Sequence, residues 1–204
     1  MIAGADGHRY QVRSRTQRFQ GAIFTVVTDE VTMPGDRVAR RDYVRHVGSV
    51  AVVALDERSR VVLVRQYRHP VRRPLWELPA GVIDVDGESL AAAAARELAE
   101  EADLVAERYD LLLDLHTSPG FSDEVIRIFL ARGLTEVPAG ERHRRHDEEA
   151  DMQVVRFDLD EAVSMVVRGE ITNAACAAGL LAAARARDAG WSTLRPFDLP
   201  LPTA

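Results

Sequence analysis

The sequence predicts an α/β fold, an α/β/α sandwich built around a mixed sheet, and three observations carry that prediction. Val50 to Leu55 and Val61 to Tyr67 are dense in valine, as strands of a main core are. Ser89 to Asp103 is rich in Ala, Leu and Glu with no Gly or Pro inside, which favours helix strongly. Asp160 to Arg168 and Asn173 to Asp188 read as two further helices, the first ended by Gly169 and the second capped by Thr172 or Asn173. Strands and helices mixed in this way bury their apolar faces as layers.

Taken in order, Tyr10 to Ser14, Ile23 to Met33 and Arg37 to Arg45 mix strand-forming and polar residues. Pro34-Gly35 makes a turn between the last two, and together they predict an antiparallel N-terminal sheet. The polar turn Asp56 to Arg60 between the two valine runs predicts a hairpin. The Ser89 to Asp103 helix follows, then strands at Leu111 to His116 and Glu124 to Ala131, joined by a loop around Pro119-Gly120 where binding groups usually sit. Thr135 to Glu149 is polar, carries Arg and His, and has Pro138 and Gly140 near its start, so a loop rather than a linker is expected. Val154 to Phe157 resumes a strand. From Trp191 onward Pro196, Pro200 and Pro202 predict an extended tail. The organisation expected is an N-terminal β-sheet region over residues 1–46 and a main domain over 47–204.

Composition narrows the function classes. At 204 residues with 47% hydrophobic positions, the chain can bury one sizeable core. A formal net charge of −6 argues against nucleic acid or an anionic membrane as partner and suits a small ligand held by local arginines. No apolar run approaches a membrane span, and Met1 to Tyr10 lacks the apolar core of a signal peptide, so the cytoplasm is the expected compartment. Cys176 is the only cysteine; it sits among alanines and is expected to pack as a small hydrophobe.

The chemistry concentrates in one segment. Leu78-Pro79-Ala80-Gly81 feeds the Ala-rich helix, which ends in Arg96-Glu97-Leu98-Ala99-Glu100-Glu101. Glu97, Glu100 and Glu101 stand at i, i+3 and i+4, so their carboxylates share one helical face. Like charges stacked there repel unless a cation sits among them, and the last turn of a helix is where the macrodipole disfavours acids. Oxygen-only ligands suit a hard ion such as Mg²⁺, with Mn²⁺ a possible substitute, and Mg²⁺ commonly shares phosphate oxygens with a substrate. A solvated acidic face is the competing explanation of such a cluster. His143 and His146 beside Asp147 offer a different metal reading, a zinc site, but their short spacing lies outside any predicted helix, and solvent exposure is expected for them.

Gly81, Glu88, Arg96, Glu97, Glu100, Glu101 and Leu104 resemble the Nudix box, Gly-x5-Glu-x7-Arg-Glu-apolar-x-Glu-Glu-x-Gly-apolar. Two positions depart from it. Glu88 falls one residue late after Gly81, consistent with a one-residue loop insertion, and Asp103 stands where the box has Gly. Asp is among the few other residues that tolerate the left-handed conformation a Gly there would serve. Besides the box, Gln66-Tyr67-Arg68, Trp76-Glu77-Leu78-Pro79-Ala80-Gly81, Ser118-Pro119-Gly120-Phe121-Ser122-Asp123-Glu124, Glu148-Glu149-Ala150-Asp151-Met152 and Gly169-Glu170-Ile171-Thr172-Asn173 are similar to the ADP-ribose pyrophosphatase branch of that family.

The resemblance implies a Nudix-type sandwich and a homodimer formed through the N-terminal sheet. It implies Mg²⁺-dependent hydrolysis of ADP-ribose to AMP and ribose 5-phosphate. Rival readings are a pyrophosphatase for another nucleoside diphosphate sugar and a non-catalytic ADP-ribose sensor on the same fold. It also implies roles. Glu97 and Glu101 are the chief metal ligands, Glu100 a second or bridging one, and the Ala80 carbonyl completes the set. Glu148 and Glu149 match the position of the catalytic base, with Glu149 taken first. Arg68, Gly81 and Glu124 are expected at the substrate. Arg41 is expected to reach it across a dimer, and Phe19 or Phe24 to stack on adenine. Arg96, next to Glu97 and therefore expected to point elsewhere, should pair with Glu77 or Glu88 and hold the loop against the helix.

Overall fold

A computed structural model describes residues 8–145 and 151–202. Contacts divide the chain into two compact units, Met1–Val47 with His116–Glu124, and Gly48–Leu115 with Val125–Ala204.

The first unit is an antiparallel sheet of β1 (Val12–Gln20), β2 (Phe24–Thr32) and β3 (Val38–His46), in that order. Val26, Val27 and the β-branched threonines of β2 suit the central strand, which pairs with β3 without a break from Phe24↔His46 to Thr32↔Val38. β1 is exposed along its whole length, and its pairing with β2 shifts register between Val12 and Ser14 and between Gln17 and Phe19. Gly35 and Asp36 both take positive φ in the short 3-10 turn after Pro34, as the predicted turn requires. Inside the sheet Asp29, 3% exposed, accepts two hydrogen bonds from Arg15 at 2.7 and 2.8 Å, and Tyr43 adds a third at 3.1 Å. The guanidinium of Arg15 holds the Asp29 carboxyl below the usual carboxylate range. The segment His116–Glu124 docks on β3, where Val44 N–H donates to Phe121 and Val44 O accepts from Asp123.

The second unit has two sheets. β4 (Ser49–Ala54) lies between β7 (Ala80–Val82), antiparallel, and β9 (Val125–Glu136), parallel, with β8 (Leu104–His116) beyond β9. β5 (Arg60–Arg68) lies between β10 (Gln153–Asp158) and β6 (Arg73–Glu77), antiparallel to both. The period-2 geometry of β4 sends alternate side chains to opposite faces. Ala51 and Val53 pack with Leu159, Ala162, Leu180 and Ala183 of α2 (Leu159–Val167) and α3 (Ala174–Asp188). Val50, Val52 and Ala54 pack with Ala93, Ala94 and Leu98 of α1 (Leu90–Ala102). Every residue of β4 is buried, which explains its valine run, and the sheet is covered by helices on both faces as the sandwich predicted.

The hairpin expected from the two valine runs is not formed beyond its turn. The 56–60 turn between β4 and β5 is closed by a hydrogen bond from Asp56 N–H to the Arg60 carbonyl at 2.9 Å and by the bridge Leu55↔Val61, after which the strands diverge into different sheets. Burial on both faces gives the same composition to a hairpin and to two separately paired strands, so the valines could not distinguish them. β6, β7 and the first half of β8 were not anticipated, and β9 runs on to Glu136, with a 3-10 turn at Ala139–Glu141, inside the expected loop. The proline-rich tail is held: Leu111 and Arg195 exchange two backbone hydrogen bonds. The fully buried Arg127 binds Asp114 at 2.7 and 3.0 Å and donates to the carbonyls of Leu199 and Pro200. Cys176 is buried, and burial pushes its thiol pKa well up, as suits an inert packing residue. Among the described residues no helix is long and apolar enough to cross a membrane.

Candidate active site

The acidic helix is fixed at both ends by local chemistry. Ser89 caps the N-terminus, its Oγ accepting from Ala92 N–H at 3.2 Å. Asp103 ends the helix in the left-handed region at φ 54, and its N–H returns to Ala99 and Leu98. The departure from Gly at that place therefore keeps the conformation Gly would have served. The apolar face of Ala93, Ala94, Leu98 and Ala102 is buried. Glu101 lies on this buried side and is 4% exposed.

A carboxylate so deeply placed needs hydrogen-bond donors. Ala80 N–H supplies one to Glu101 Oε2 at 2.9 Å. One residue further along β7, Gly81 lies against Glu97 so closely that a Cβ there would come within 2.1 Å of the Glu97 carboxylate. The glycine leaves space for the Glu97 carboxylate where it lies, and its backbone angles do not call for Gly, since Gly81 is not among the glycines with positive φ. Leu78 to Gly81 and the last turns of α1 thus close on one another.

Arg96 does not point away from Glu97, as its neighbouring position had suggested. Its Nη1 donates to Glu97 at 2.6 Å and to Glu100 at 3.4 Å, while Nε and Nη2 grip Glu88 at 3.2 and 3.1 Å. Adjacent side chains on a helix diverge at Cβ, but a guanidinium on a long stem can turn back, and the local excess of carboxylates draws it. Of the two partners offered for Arg96, Glu88 is the one found. Glu77, 3% exposed, instead takes Arg68 in a fork at 2.6 and 3.0 Å. Glu88 keeps this contact despite the extra residue before it, which is absorbed in a loop where Gly87 has φ 79.

The arrangement fits a hard divalent cation. Its donors are carboxylate oxygens, and the absence of a side chain at Gly81 leaves Glu97 room beside the Ala80 backbone. In the geometry described, Glu97 and Glu100 turn to Arg96 and Glu101 to Ala80, and among the described residues no three acidic or histidine side chains are gathered for a metal. Repelling carboxylates turn to whatever donors are near, so this disposition follows from the same charge excess that would attract a cation.

In the first unit, Glu124 accepts from Thr117 Oγ1 at 2.6 Å and lies 3.8 Å from His46 Nδ1. These residues and Phe24, Val44, Ser118, Phe121 and Ser122 line a cavity of about 240 Å³. Phe19 stands 56% exposed with its ring centroid 6.0 Å from that of Phe24. Arg41 is exposed, with Nη1 on the Arg40 carbonyl and Nη2 near the Met33 sulfur. His46 and Thr117 were not singled out from sequence; only the Ser118-to-Glu124 run signalled this cavity. Glu148, Glu149, His146 and Asp147 lie outside the described residues.

The NUDIX domain family matches residues 45–175. The chain is 46% identical over 191 residues to the ADP-ribose pyrophosphatase of Mycobacterium tuberculosis, covering 94% of this chain and 90% of that protein. It is 32% identical over 161 residues to the ADP-ribose pyrophosphatase of Bacillus subtilis, covering 79% and 85% of the two chains. A solved structure of an ADP compounds hydrolase superposes with a TM-score of 0.74 at 21% identity, over 90% of this chain and 97% of that one, which shows a shared fold. Box residues brought together on α1 and β7 and a family match across most of the chain agree: the protein belongs to the NUDIX domain family.

Proposed function

We propose that this NUDIX hydrolase cleaves the pyrophosphate bond of ADP-ribose, giving AMP and ribose 5-phosphate, with Mg²⁺ as its cofactor and Mn²⁺ a possible substitute. The observation that carries the reaction class is the closure of Ala80-Gly81 on Glu97 and Glu101. The likeness to two ADP-ribose pyrophosphatases supports the substrate.

Glu97 and Glu101, with Glu100 and the Ala80 carbonyl, would hold the cation. When bound, it would neutralise pyrophosphate charge and activate water. The chain's own groups do the rest. Arg96 ties Glu88 to the helix, so the loop leading into the acids keeps its place. Arg68, oriented by Glu77, would meet phosphate or base with its guanidinium. Glu149 or Glu148 takes the proton as the water oxygen bonds to phosphorus and the bridging P–O bond breaks. Glu124 accepts from the hydroxyls of the terminal ribose, and Phe19 or Phe24 stacks on adenine. Residues 1–46 serve a homodimer in which Arg41 reaches the partner's substrate.

The assay is a panel of nucleoside diphosphate sugars with Mg²⁺, read as kcat/KM. ADP-ribose should lead; a clear preference for another member replaces it with the rival substrate. Binding of ADP-ribose without turnover would favour the sensor reading, against which the retained Glu97, Glu100 and Glu101 argue.

A further inference from the structure

Residues 116–124 are built onto β3 as a further edge. Val44 N–H donates to the Phe121 carbonyl at 2.8 Å, Asp123 N–H to the Val44 carbonyl at 3.0 Å, and His46 N–H to Asp123 Oδ1 at 2.8 Å. The loop also closes on itself: the Ser118 carbonyl accepts from Phe121 and Ser122, and Ser122 Oγ accepts from Glu124 N–H at 3.1 Å. Glu124 therefore leaves a backbone that is held at every residue from Phe121 onward. Its carboxylate is held as well. Thr117 Oγ1 donates to Oε2 at 2.6 Å, and His46 Nδ1 lies 3.8 Å from Oε1. The side chains of His46 and Glu124 are 13% and 27% exposed, so water screens this contact only in part.

The cavity beside this carboxylate has two characters. Val44 and His46 stand two apart on β3 and share a face, and Phe24 is the cross-strand partner of His46. Phe24, Val44 and Phe121 give an apolar wall, while His46, Thr117 and Glu124 give a polar end. The Phe24 ring is backed by Gly21, where a Cβ would come within 3.1 Å of it. Among the described residues that line the cavity none is Lys or Arg. A phosphate placed there would face the Glu124 charge with no guanidinium or ammonium in the lining to offset it. A neutral polyol fits both characters, its C–H faces on the rings and its hydroxyls donating to the carboxylate. A carboxylate accepts several hydrogen bonds, so Thr117 can orient it while it also accepts from a ligand.

We propose that His46 and Thr117 are positioning residues, which set the Glu124 carboxylate to accept from sugar hydroxyls and so make the chain select a nucleotide whose terminal sugar carries them. This rests on the placement of the terminal ribose at Glu124. A carboxylate on a rotatable stem gives up side-chain freedom when a ligand fixes it, and one already fixed by Thr117 and His46 does not. That gain is the same in the bound substrate and in the transition state, so it falls on KM and leaves kcat alone. A ligand without the hydroxyls leaves a set acceptor unmatched, which is the source of the selection.

The test uses the whole chain in the variants T117V, T117S, H46L and H46N, with E124A alongside. Two substrates are compared, ADP-ribose and an analogue whose terminal sugar lacks the 2- and 3-hydroxyls. Steady-state kinetics with Mg²⁺ and equilibrium binding by calorimetry without it are the readouts. Wild type should prefer ADP-ribose by about tenfold or more in kcat/KM. T117V and H46L should bring that preference to within about threefold by raising KM for ADP-ribose, with kcat within about twofold of wild type. T117S keeps the hydroxyl and H46N a donor in place of Nδ1, so both should retain most of the preference. A general loosening of the fold would slow both substrates alike and leave their ratio unchanged. The wild-type ratio in both T117V and H46L, with the ratio lost in E124A, overturns the positioning role. The wild-type ratio in E124A as well overturns the placement of the terminal ribose at Glu124, and the proposal with it. If ADP-ribose is bound and not cleaved, the hydrolase reading fails by itself, and the ratio of dissociation constants decides the role of His46 and Thr117 by the same criteria.

Discussion

Gly81→Ala isolates the closest approach in the site. A Cβ at that position would lie 2.1 Å from the Glu97 carboxylate, so Glu97 must swing aside. In doing so it gives up the 2.6 Å contact with Arg96 Nη1. A hydrogen bond between charged groups contributes about 1.5–3 kcal/mol, and this pair, partly exposed on the Arg96 side, belongs near the lower end. If the displacement is felt fully at the transition state, kcat/KM falls roughly 10- to 100-fold at about 1.4 kcal/mol per decade. The fold should not suffer. Gly81 pairs with Val50 in β7 at ordinary strand angles, where Ala is tolerated and removes backbone freedom from the unfolded chain, so the stability loss should not exceed the contribution of the forfeited contact, about 1.5–3 kcal/mol. AMP release measured by chromatography, with thermal unfolding in parallel, separates the two effects. A folded G81A with kcat/KM within twofold of wild type refutes the idea that Gly81 is there to make room for Glu97.

Other expectations follow from the same geometry. E101Q keeps an acceptor for Ala80 N–H but loses the buried charge; the fold should survive while turnover drops by roughly 10²-fold or more, checked by circular dichroism and product assay. R127M strands Asp114 and releases the tail, which should cost about 3–5 kcal/mol in denaturant unfolding, whereas R127M/D114L should recover a large part of it. Asp29 has its folded pKa depressed below 3.8, chiefly by the Arg15 hydrogen bond, so its contribution is present above the unfolded value and is lost as pH falls through the folded one. Comparing wild type with D29N from pH 6 to pH 2, the stability gap should shrink below about pH 4; a gap that widens there contradicts the pairing.

How far the sequence could be read depended on whether a feature is local. Asp103 and Asn173 reach their own backbone within a few residues, so the C-terminal cap of α1 and the N-terminal cap of α3 followed from residue type and spacing; the Ser89 cap is equally local but was not singled out. The partners of β4 and β5 did not, because valines bury equally well in either pairing. Arg96 was misdirected for a similar reason. Helical spacing fixes where Cβ points, but the end of a long cation follows charge, here Glu88, Glu97 and Glu100 together. Arg145 carried no local signal at all. Its partners, the Asp103 carboxylate and the Glu100 carbonyl, lie 42 and 45 residues earlier in the chain, and only folding brings them into contact. The box glutamates were legible because repulsion at a helix end demands a reason, whereas the cavity beside Glu124 depends on two segments separated in sequence, around Val44 and Phe121.

The acids closed on Ala80-Gly81 should support hydrolysis of ADP-ribose. The most direct measurement follows AMP and ribose 5-phosphate released from ADP-ribose by wild type and E101Q, each with Mg²⁺ and with EDTA. Equimolar products from wild type with Mg²⁺ alone, and near-background release in the other three conditions, is the result expected. Undiminished release by folded E101Q, or by wild type in EDTA, would contradict it.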